Sequence, residues 1–487
     1  MAVYTPKLSK EAESIFSDHY MIENYEKLDL CFEKSIPDNQ HEILKKHEFN
    51  EFIECVKRAS DRHIQWSYKR IFEKIIIQSN ETETDKLMIA VQTLLKDRQF
   101  TKGFNNNIDW NKIFFQIKSA VENNRDIECV IVGLPFKMPS LLKCESAKAD
   151  FGEAGFILQL YEFCKVAELI FKNSNYWNWN KRVLFRIVMD GKRFQQLIGI
   201  TDREMDDYKN TLESWISLLG INEYIKLDDY EDMINTSLDF DLKAKKMMIK
   251  KNVKSEYLEK LPTDIHLVNL NCKLEEAKIL DPDPEKSNKY GRFVSLFQSI
   301  LFTMRYSSIE QSYFTDDLIK NEIYIKCIEC IILKLSHENE LAFAKASTQS
   351  ILQLCGDILR EAWDATIDYV SEIRSDRDLS IDVIQYCYPN SLRWTIHDKK
   401  GQICIASKKM YGINLFPWHG VSLIKESRSK LNQYTIPSRM LVGCNLTKLS
   451  VEVDNIILPI CYVQLNNLSF ASSLEAISKR YSRRVNG

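Results

Sequence analysis

A lysine between two prolines is the first feature of this sequence that could carry chemistry. Lys137 follows the apolar run ECVIVG, and Pro135 and Pro139 stand two residues to either side of it. Proline fixes its own backbone and restricts the residue before it, so the backbone of this lysine is largely set before a partner binds. A preorganised ammonium suits the binding of an anion such as phosphate, or the donation of a proton. The spacing fits a surface lysine on a rigid turn equally well.

Three more polar clusters follow strand-like runs or lie in short loops: Asp190 with Lys192 and Arg193, Arg393 with His397, and Trp418 with His419. In open α/β sheets, ligands bind outside the carboxyl ends of the strands, so these clusters can meet at one pocket. An aspartate beside two cations can keep a low pKa and orient a basic group. Asp190 with Gly191 also fits a plain turn. Trp418 with Phe416 fits either an aromatic wall or core packing.

Two of the eight histidines are candidates for acid–base chemistry, His397 on the polar face of an alternating segment and His419 in a loop. Imidazole changes its charge near neutral pH, which suits proton transfer. His397 and Asp398 are adjacent and point to opposite faces of a strand, so they do not match the facial triad of non-haem iron. Cys327 and Cys330 lie in an apolar, helix-like segment without a second such pair, which favours buried thiols over zinc. The sequence therefore predicts no metal site.

Composition restricts the class of protein. The chain has 487 residues, 45% of them hydrophobic and 28% charged, which predicts a globular protein of two or three domains. A net charge of −2 and the lack of a long apolar run predict no binding to nucleic acid or membrane. Thirteen scattered cysteines without an export signal predict reduced thiols and a cytoplasmic location. Dinucleotide, Walker and nucleophile-elbow signatures are missing.

The elements that must position these clusters alternate between strand and helix. ECVIVG and RVLFRIVMDG are strand-like, and the segment between them has helical apolar spacing, which indicates an α/β unit with a parallel pair. Thr201 and Glu204 match a capping box that opens another helix. LRWTIH followed by Lys399-Lys400-Gly401 predicts a hairpin.

We therefore predict an α/β fold: a Rossmann-like mixed sheet with flanking helices, an N-terminal helical region and C-terminal β-strands. Three parts are predicted: a helical accessory region at residues 1–120, a catalytic α/β domain at residues 121–435, and a β-rich segment at residues 436–487. The catalytic domain contains an insertion or hinge at about residues 225–290. From the residues alone, the chain is predicted to be an enzyme with a pocket for a small anionic substrate such as a phosphate ester.

Five short motifs follow one another along the chain: Leu134-Pro135-Phe136-Lys137-Met138-Pro139, Asp150 with Glu153, Asp190-Gly191-Lys192-Arg193-Phe194, Arg393-Trp394-Thr395-Ile396-His397 and Pro417-Trp418-His419. Their types and order resemble the pyoverdine/dityrosine biosynthesis family, the isocyanide (isonitrile) synthases. The resemblance covers residues from about 121 to 425. Met189, Lys192 and Thr395 replace the serine, arginine and serine of the family pattern. Lysine cannot grip a carboxylate or phosphate with a planar fork as arginine does.

The resemblance implies a specific reaction. Such enzymes join the α-amino group of L-tyrosine or L-tryptophan to C2 of ribulose 5-phosphate, which becomes the isonitrile carbon. It implies no metal or organic cofactor, and often an iron-dependent oxygenase as the downstream partner. Two alternatives stay open: an enzyme that forms N-formyl tyrosine on the dityrosine route, and an inactive, family-like scaffold. A generic phosphosugar aldolase is a more distant alternative.

The resemblance also suggests roles for individual residues. The expected binders of anionic groups are Lys137, Lys192 and Arg393. The expected proton carriers are His397 and His419, with Asp190 orienting the amine or a histidine. The remaining predicted substrate-binding residues are Phe136, Glu153, Arg193 and Trp418. Glu153 fits equally well as a residue that caps the start of a helix.

Overall fold

A computed structural model gives the fold of the chain. It describes residues 40–76, 82–102, 109–137, 144, 146–173, 179–237, 240–258, 296, 300, 349–379, 382–396, 401–406, 416–427, 430–436, 446–454 and 456–464.

The helices and strands of the described ranges are labelled in chain order. The strands are β1 Gln40–Leu44, β2 Ile127–Val132, β3 Val183–Met189, β4 Ile225–Asp229, β5 Leu392–Thr395, β6 Ile403–Cys404, β7 Val421–Ser427, β8 Lys430–Ile436, β9 Thr447–Val453 and β10 Ile456–Gln464. The α-helices are α1 Lys46–Ile76, α2 Glu83–Leu95, α3 Trp110–Glu122, α4 Phe151–Asn173, α5 Gly191–Phe194, α6 Asp202–Leu219, α7 Tyr230–Ser237, α8 Phe240–Leu258, α9 Gln349–Asp378 and α10 Val383–Cys387. Short 3-10 turns cover Gln195–Ile198 and Pro417–His419.

The first sheet is parallel and has the strand order β4-β3-β2-β5-β6. Its central strands β2 and β3 are almost continuously apolar and buried, as expected for strands covered on both faces. Helix α4 lies between them in sequence and packs on one face, which confirms the predicted parallel α/β unit. The chain adds β3 and β4 on one side of β2, and later β5 and β6 on the other. The boundary between β2 and β5 is therefore the topological switch point of the sheet.

The predicted hairpin is wrong. Strand β5 pairs with β6 in parallel, with Trp394 opposite Ile403, and it also pairs in parallel with β2. The alternation of Leu392 and Trp394 with Arg393 is correct, because the two apolar side chains are buried in the main core. Alternation shows which face of a strand is buried, whereas the direction of pairing depends on the neighbouring strand.

The second sheet is mixed and has the strand order β1-β9-β10-β7-β8. It confirms the predicted C-terminal strands. Strand β1 runs parallel to β9, although it lies within the range predicted to be helical. The sheet takes strands from all three predicted parts of the chain, and the division into those parts stays a prediction. Residues 225–229, at the start of the predicted insertion, form β4 within the first sheet.

The main hydrophobic core joins α1, α4, α6 and both sheets. Phe163 of α4 packs edge-on against Phe185 and Trp394 of the parallel sheet. The predicted capping box is confirmed, because Thr201 and Glu204 each accept a backbone hydrogen bond from the other at the start of α6. Of the helices in the described ranges, none is long and apolar enough to cross a membrane.

Candidate functional site

Three chain segments meet at the switch point of the parallel sheet. A Cβ placed on Gly133, directly after β2, would lie 3.8 Å from Trp418 Cη2 and 4.0 Å from Ile396 Cγ2. Ile396 directly follows β5, so the carboxyl ends of β2 and β5 and the 3-10 turn Pro417–His419 adjoin one another. Leu134 is fully buried with φ of 50°, a left-handed conformation that is unfavourable for a bulky residue. Backbone strain of this kind is often found at functional sites. Ligands of open α/β proteins often bind at the switch point of the sheet.

The end of β3 is held directly against the segment after β2. A Cβ on Gly191 would lie 1.9 Å from the carbonyl oxygen of Pro135, so only glycine permits this approach. Asp190 precedes α5, and its side chain makes no capping bond to that helix. The predicted cluster at the end of β3 is thus brought beside the cluster that contains Lys137.

Lys137 lies in a buried group of charges rather than on the surface. It is 1% exposed, and its Nζ lies 2.7 Å from Asp150 Oδ2 and 3.0 Å from Glu153 Oε2. Asp150 also accepts hydrogen bonds from the backbone N–H groups of Gly152 (2.7 Å) and Ser422 (2.9 Å). Lys137 is buried, so its interpretation as a surface lysine on a rigid turn is wrong. Asp150 and Glu153 are the charged partners that a buried ammonium requires.

Glu153 both caps helix α4 and contacts Lys137. Its Oε2 accepts from the Asp150 N–H at 2.9 Å, which with the Asp150–Gly152 bond gives a reciprocal cap of the capping-box type. Within the described structure, its Oε1 has no hydrogen-bond partner, and neither does the buried hydroxyl of Tyr208. Burial raises the pKa of Glu153 above its ordinary value, and the nearby Lys137 only partly opposes this.

The environment of Lys137 determines what its side chain can do. Burial alone would lower its pKa, but the carboxylates of Asp150 and Glu153 outweigh burial and raise it. The side chain therefore stays a cation and does not act as a neutral amine nucleophile. A fixed charge in a dry site can stabilise an oxyanion that develops during a reaction.

An aromatic group borders the switch point. Trp418 is buried, stacks on Phe416 with ring centroids 4.8 Å apart, and meets Phe156 of α4 edge-on at 5.5 Å. The His419 ring is half-buried, with its centroid 6.0 Å from that of Trp418. Phe136 is partly buried and packs on the small apolar cluster of Ile198, Ile200 and Met205. The arrangement places one imidazole at the edge of an aromatic wall.

Lys192 and Arg193 point toward different partners. Lys192 pairs with Asp229 at the end of β4, at 3.0 Å. Arg193 Nη2 contacts Glu372 at 3.0 Å and also pairs with Asp376, and both carboxylates bind Lys246 of α8. These contacts hold α5 against α8 and α9, so Arg193 is not placed to serve instead of the family's arginine that Lys192 replaces. A role of Arg193 in substrate binding stays a prediction.

Asp190 belongs to the same neighbourhood as Arg193. The ring of Tyr230 lies 5.1 Å from the Arg193 guanidinium carbon. Burial raises the pKa of Tyr230 to about 12, and Arg193 partly opposes this effect. Burial and then the Asp190 carboxylate raise the pKa of Tyr369 to about 12. Tyr230 and Tyr369 therefore stay neutral in the neighbourhood of Asp190 and Arg193.

Arg393 lies on the other face of the parallel sheet. It pairs with Asp382, the N-cap of α10, at 2.7 Å, and its register partner Val130 packs under α7 and α10. Lys137 instead lies against α4 on the opposite face, so the structure separates two residues that were predicted to share anion binding. Their roles stay predictions.

Several predicted positions lie outside the described residues: Met138, Pro139, Cys327, Cys330, His397 and Asp398. In the described ranges, no group of three or more His, Cys, Asp or Glu side chains is arranged to hold a metal ion. Sequence reasoning named Asp150 in a motif but gave it no role, and it missed Tyr208. Asp150 had a signal in its three-residue spacing from Glu153, whereas Tyr208 lies inside an ordinary amphipathic helix.

Comparison with known proteins gives one family match and one similar solved structure. Residues 117–310 match the family model described as pyoverdine/dityrosine biosynthesis protein. No curated protein matches the chain in sequence. A solved structure that is similar is the PvcA protein from Pseudomonas aeruginosa, with 14% identity and a TM-score of 0.45 over 79% of this chain and 100% of that one.

Proposed function

We propose that the chain is an isonitrile synthase, because residues 117–310 match the pyoverdine/dityrosine biosynthesis family model and the five family-like motifs occur in the family's order. The substrates would be L-tyrosine or L-tryptophan and ribulose 5-phosphate, whose C2 becomes the isonitrile carbon. The observation that carries the proposal is the meeting of family-like motifs at the carboxyl edge of the parallel sheet. Gly133 adjoins Trp418 there, and Gly191 adjoins Pro135.

The first step joins the amine to the ketone. The substrate ammonium must first lose a proton. The nitrogen then forms a bond to C2, and the former carbonyl oxygen takes up a proton to become a hydroxyl. The C2–O bond then breaks and water leaves, which gives an imine. Negative charge develops on the ketone oxygen in this attack, and a proton delivered by a histidine can neutralise it as the bond forms. Lys137 is proposed to hold an anionic group of the substrate.

His419 is the described residue best suited to move protons in this step. Its half-buried ring lies beside the aromatic wall, where an aromatic substrate would place its amine. As a base it would take the proton from the ammonium, and as an acid it would return one to the leaving hydroxyl. His397 is proposed as a second proton carrier. The outer face of Phe416, which is only partly buried, would receive the aromatic ring.

The later steps cleave the C1–C2 and C2–C3 bonds and release phosphate. For atoms and electrons to balance without an oxidant, C1 leaves as formaldehyde and C3–C5 leave as a three-carbon hydroxyketone once phosphate has been eliminated. Lys192, which is 39% exposed, is proposed to bind an anionic group. The proposal includes no metal, organic cofactor or external oxidant. We also propose that the chain acts in the cytoplasm and that an iron-dependent oxygenase acts on its product.

The test is an incubation of the purified full chain with both amino acids and ribulose 5-phosphate labelled with heavy carbon at C2. Mass spectrometry follows the label, with samples quenched at neutral pH because acid converts isonitriles to formamides. We expect a labelled isonitrile with one amino acid. Variant His419→Gln should lower the rate strongly. Variant Lys226→Gln, at an exposed position on β4, is the matched control and should not.

Other outcomes select the alternatives. A labelled formamide that appears without an earlier isonitrile would identify a formyl-forming enzyme. Unchanged substrates with folded protein would contradict an enzyme for these substrates and favour a scaffold. Consumption of the sugar phosphate without any amino acid would indicate an aldolase.

A further inference from the structure

A narrow cleft opens beside the Lys137 group, between the start of α4 and the second sheet. Its polar lining consists of Lys137, Ser146, Lys148, Asp150, Lys448 and Tyr462. Its enclosed part is about 20 Å³, which suits one water molecule or one oxygen atom of a larger group. We call it the Lys448 cleft.

The charge of the Lys448 cleft favours an anion. Three ammonium groups and one carboxylate line it. The carboxylate, Asp150, already accepts hydrogen bonds from Gly152 and Ser422 and pairs with Lys137. The amino end of α4, a helix of 23 residues, adds a partial positive charge at the same place.

Lys137 supplies a donor at the base of the cleft. An ammonium has three hydrogens, and the described contacts of Lys137 use two of them, on Asp150 and Glu153. The third can serve a ligand in the cleft that Lys137 lines. Lys148 donates to the Ile457 carbonyl oxygen at 2.9 Å, and its ammonium has further hydrogens for a ligand at the mouth. Lys448 lies over the Tyr462 ring at 5.8 Å, which places its charge at the opposite wall.

We propose that the Lys448 cleft binds a phosphate group, with one oxygen on Lys137 and the others between Lys148 and Lys448. This inference rests on the proposed function in one respect, namely that the phosphate is that of the pentulose phosphate. Val421 also lines the cleft and lies two residues after His419, so a phosphate held there would keep the sugar near the proton carrier. Lys148 and Lys448 are then binding residues for the co-substrate.

The test measures binding of inorganic phosphate to the full chain by isothermal titration calorimetry. Variants Lys148→Gln and Lys448→Gln each remove one charge at a partly exposed position, so both should stay folded. We expect each to weaken phosphate binding by about tenfold or more. Variant Lys226→Gln removes a charge from β4 and should bind phosphate as the unmodified chain does. Equal binding by all four proteins, or no binding to the unmodified chain, would overturn the proposal.

A second measurement separates this inference from the proposed function. If phosphate binding depends on both lysines but no labelled isonitrile forms, the cleft assignment stands and the proposed reaction fails. If isonitrile forms and KM for ribulose 5-phosphate is the same in both cleft variants, the reaction stands and the cleft assignment fails. If KM rises about tenfold or more in both while KM for the amino acid stays constant, both stand.

Discussion

Replacement of Lys137 by methionine removes the ammonium that lies between two buried carboxylates. Asp150 is 4% exposed and Glu153 is 0% exposed, so water reaches these carboxylates only through the narrow cleft beside Asp150 and replaces the lost partner only in small part. Since burial already raises the pKa of Glu153, this residue can take up a proton and become neutral. Asp150 then remains as one uncompensated charge with two backbone donors. Loss of one partner of a buried ion pair costs about 3–5 kcal/mol, and we expect this loss in the free energy of unfolding.

Urea unfolding at pH 7, followed by tryptophan fluorescence and by circular dichroism, measures this loss. Agreement of the two probes tests whether unfolding is a single transition. Lys226→Met is the control, because Lys226 is exposed on β4 and its replacement should change stability by less than about 0.5 kcal/mol. The double variant Lys137→Met with Asp150→Asn removes both charges, so it should recover at least about 1 kcal/mol relative to Lys137→Met.

Two results would refute the reasoning. If Lys137→Met is as stable as the Lys226→Met control, the ammonium does not compensate buried charge. The second result compares two losses of unfolding free energy. If Asp150→Asn lowers stability as much in the Lys137→Met background as it does in the unmodified chain, the two side chains are not energetically coupled.

Three further predictions concern pH and packing. The pKa of Glu153 is raised in the folded state, so its contribution to stability is full below about pH 4.5 and is lost as the pH rises. The melting temperature of Glu153→Gln should therefore fall less between pH 5 and pH 8 than that of the unmodified chain. An equal fall in both proteins would contradict this. Burial would raise the pKa of Glu372, but hydrogen bonds from two lysines of α8 lower it to about 2. The contribution of Glu372 to stability is therefore present above pH 4.5 and is lost as the pH falls toward 2. In that acidic range, amide hydrogen exchange in α9 should accelerate before exchange in α6 does. Gly191→Ala places a methyl group against the Pro135 carbonyl, so we expect a loss of about 1–3 kcal/mol in unfolding free energy, and a stability equal to the unmodified chain would show that the segment moves freely.

Local patterns were sufficient for the elements that depend on neighbours in sequence. The apolar runs of β2 and β3 and the helical spacing of α4 predicted a parallel unit, because strands buried on both faces and the helix between them need those patterns. The capping box at Thr201 was correct for the same reason, since all its bonds lie within four residues. The order of the short motifs predicted the family, which the match over residues 117–310 supports.

Long-range packing decided the rest. The alternation in β5 could not reveal that its partners are β2 and β6 in parallel, nor that Arg393 faces α10 while Lys137 faces α4. Strand β1 is too short to be distinguished from its helical surroundings, and only its pairing with β9 makes it a strand.

The sequence by itself determined that Lys137 follows a buried strand and has a preset backbone, because proline acts locally. Only the tertiary structure decided that its ammonium is buried and paired. Asp150 and Glu153 lie 13 and 16 residues away at the start of α4, and Ser422, the second backbone donor to Asp150, comes from β7. The charge of a buried group depends on what surrounds it in space, and that surrounding is set when the two sheets pack around α4.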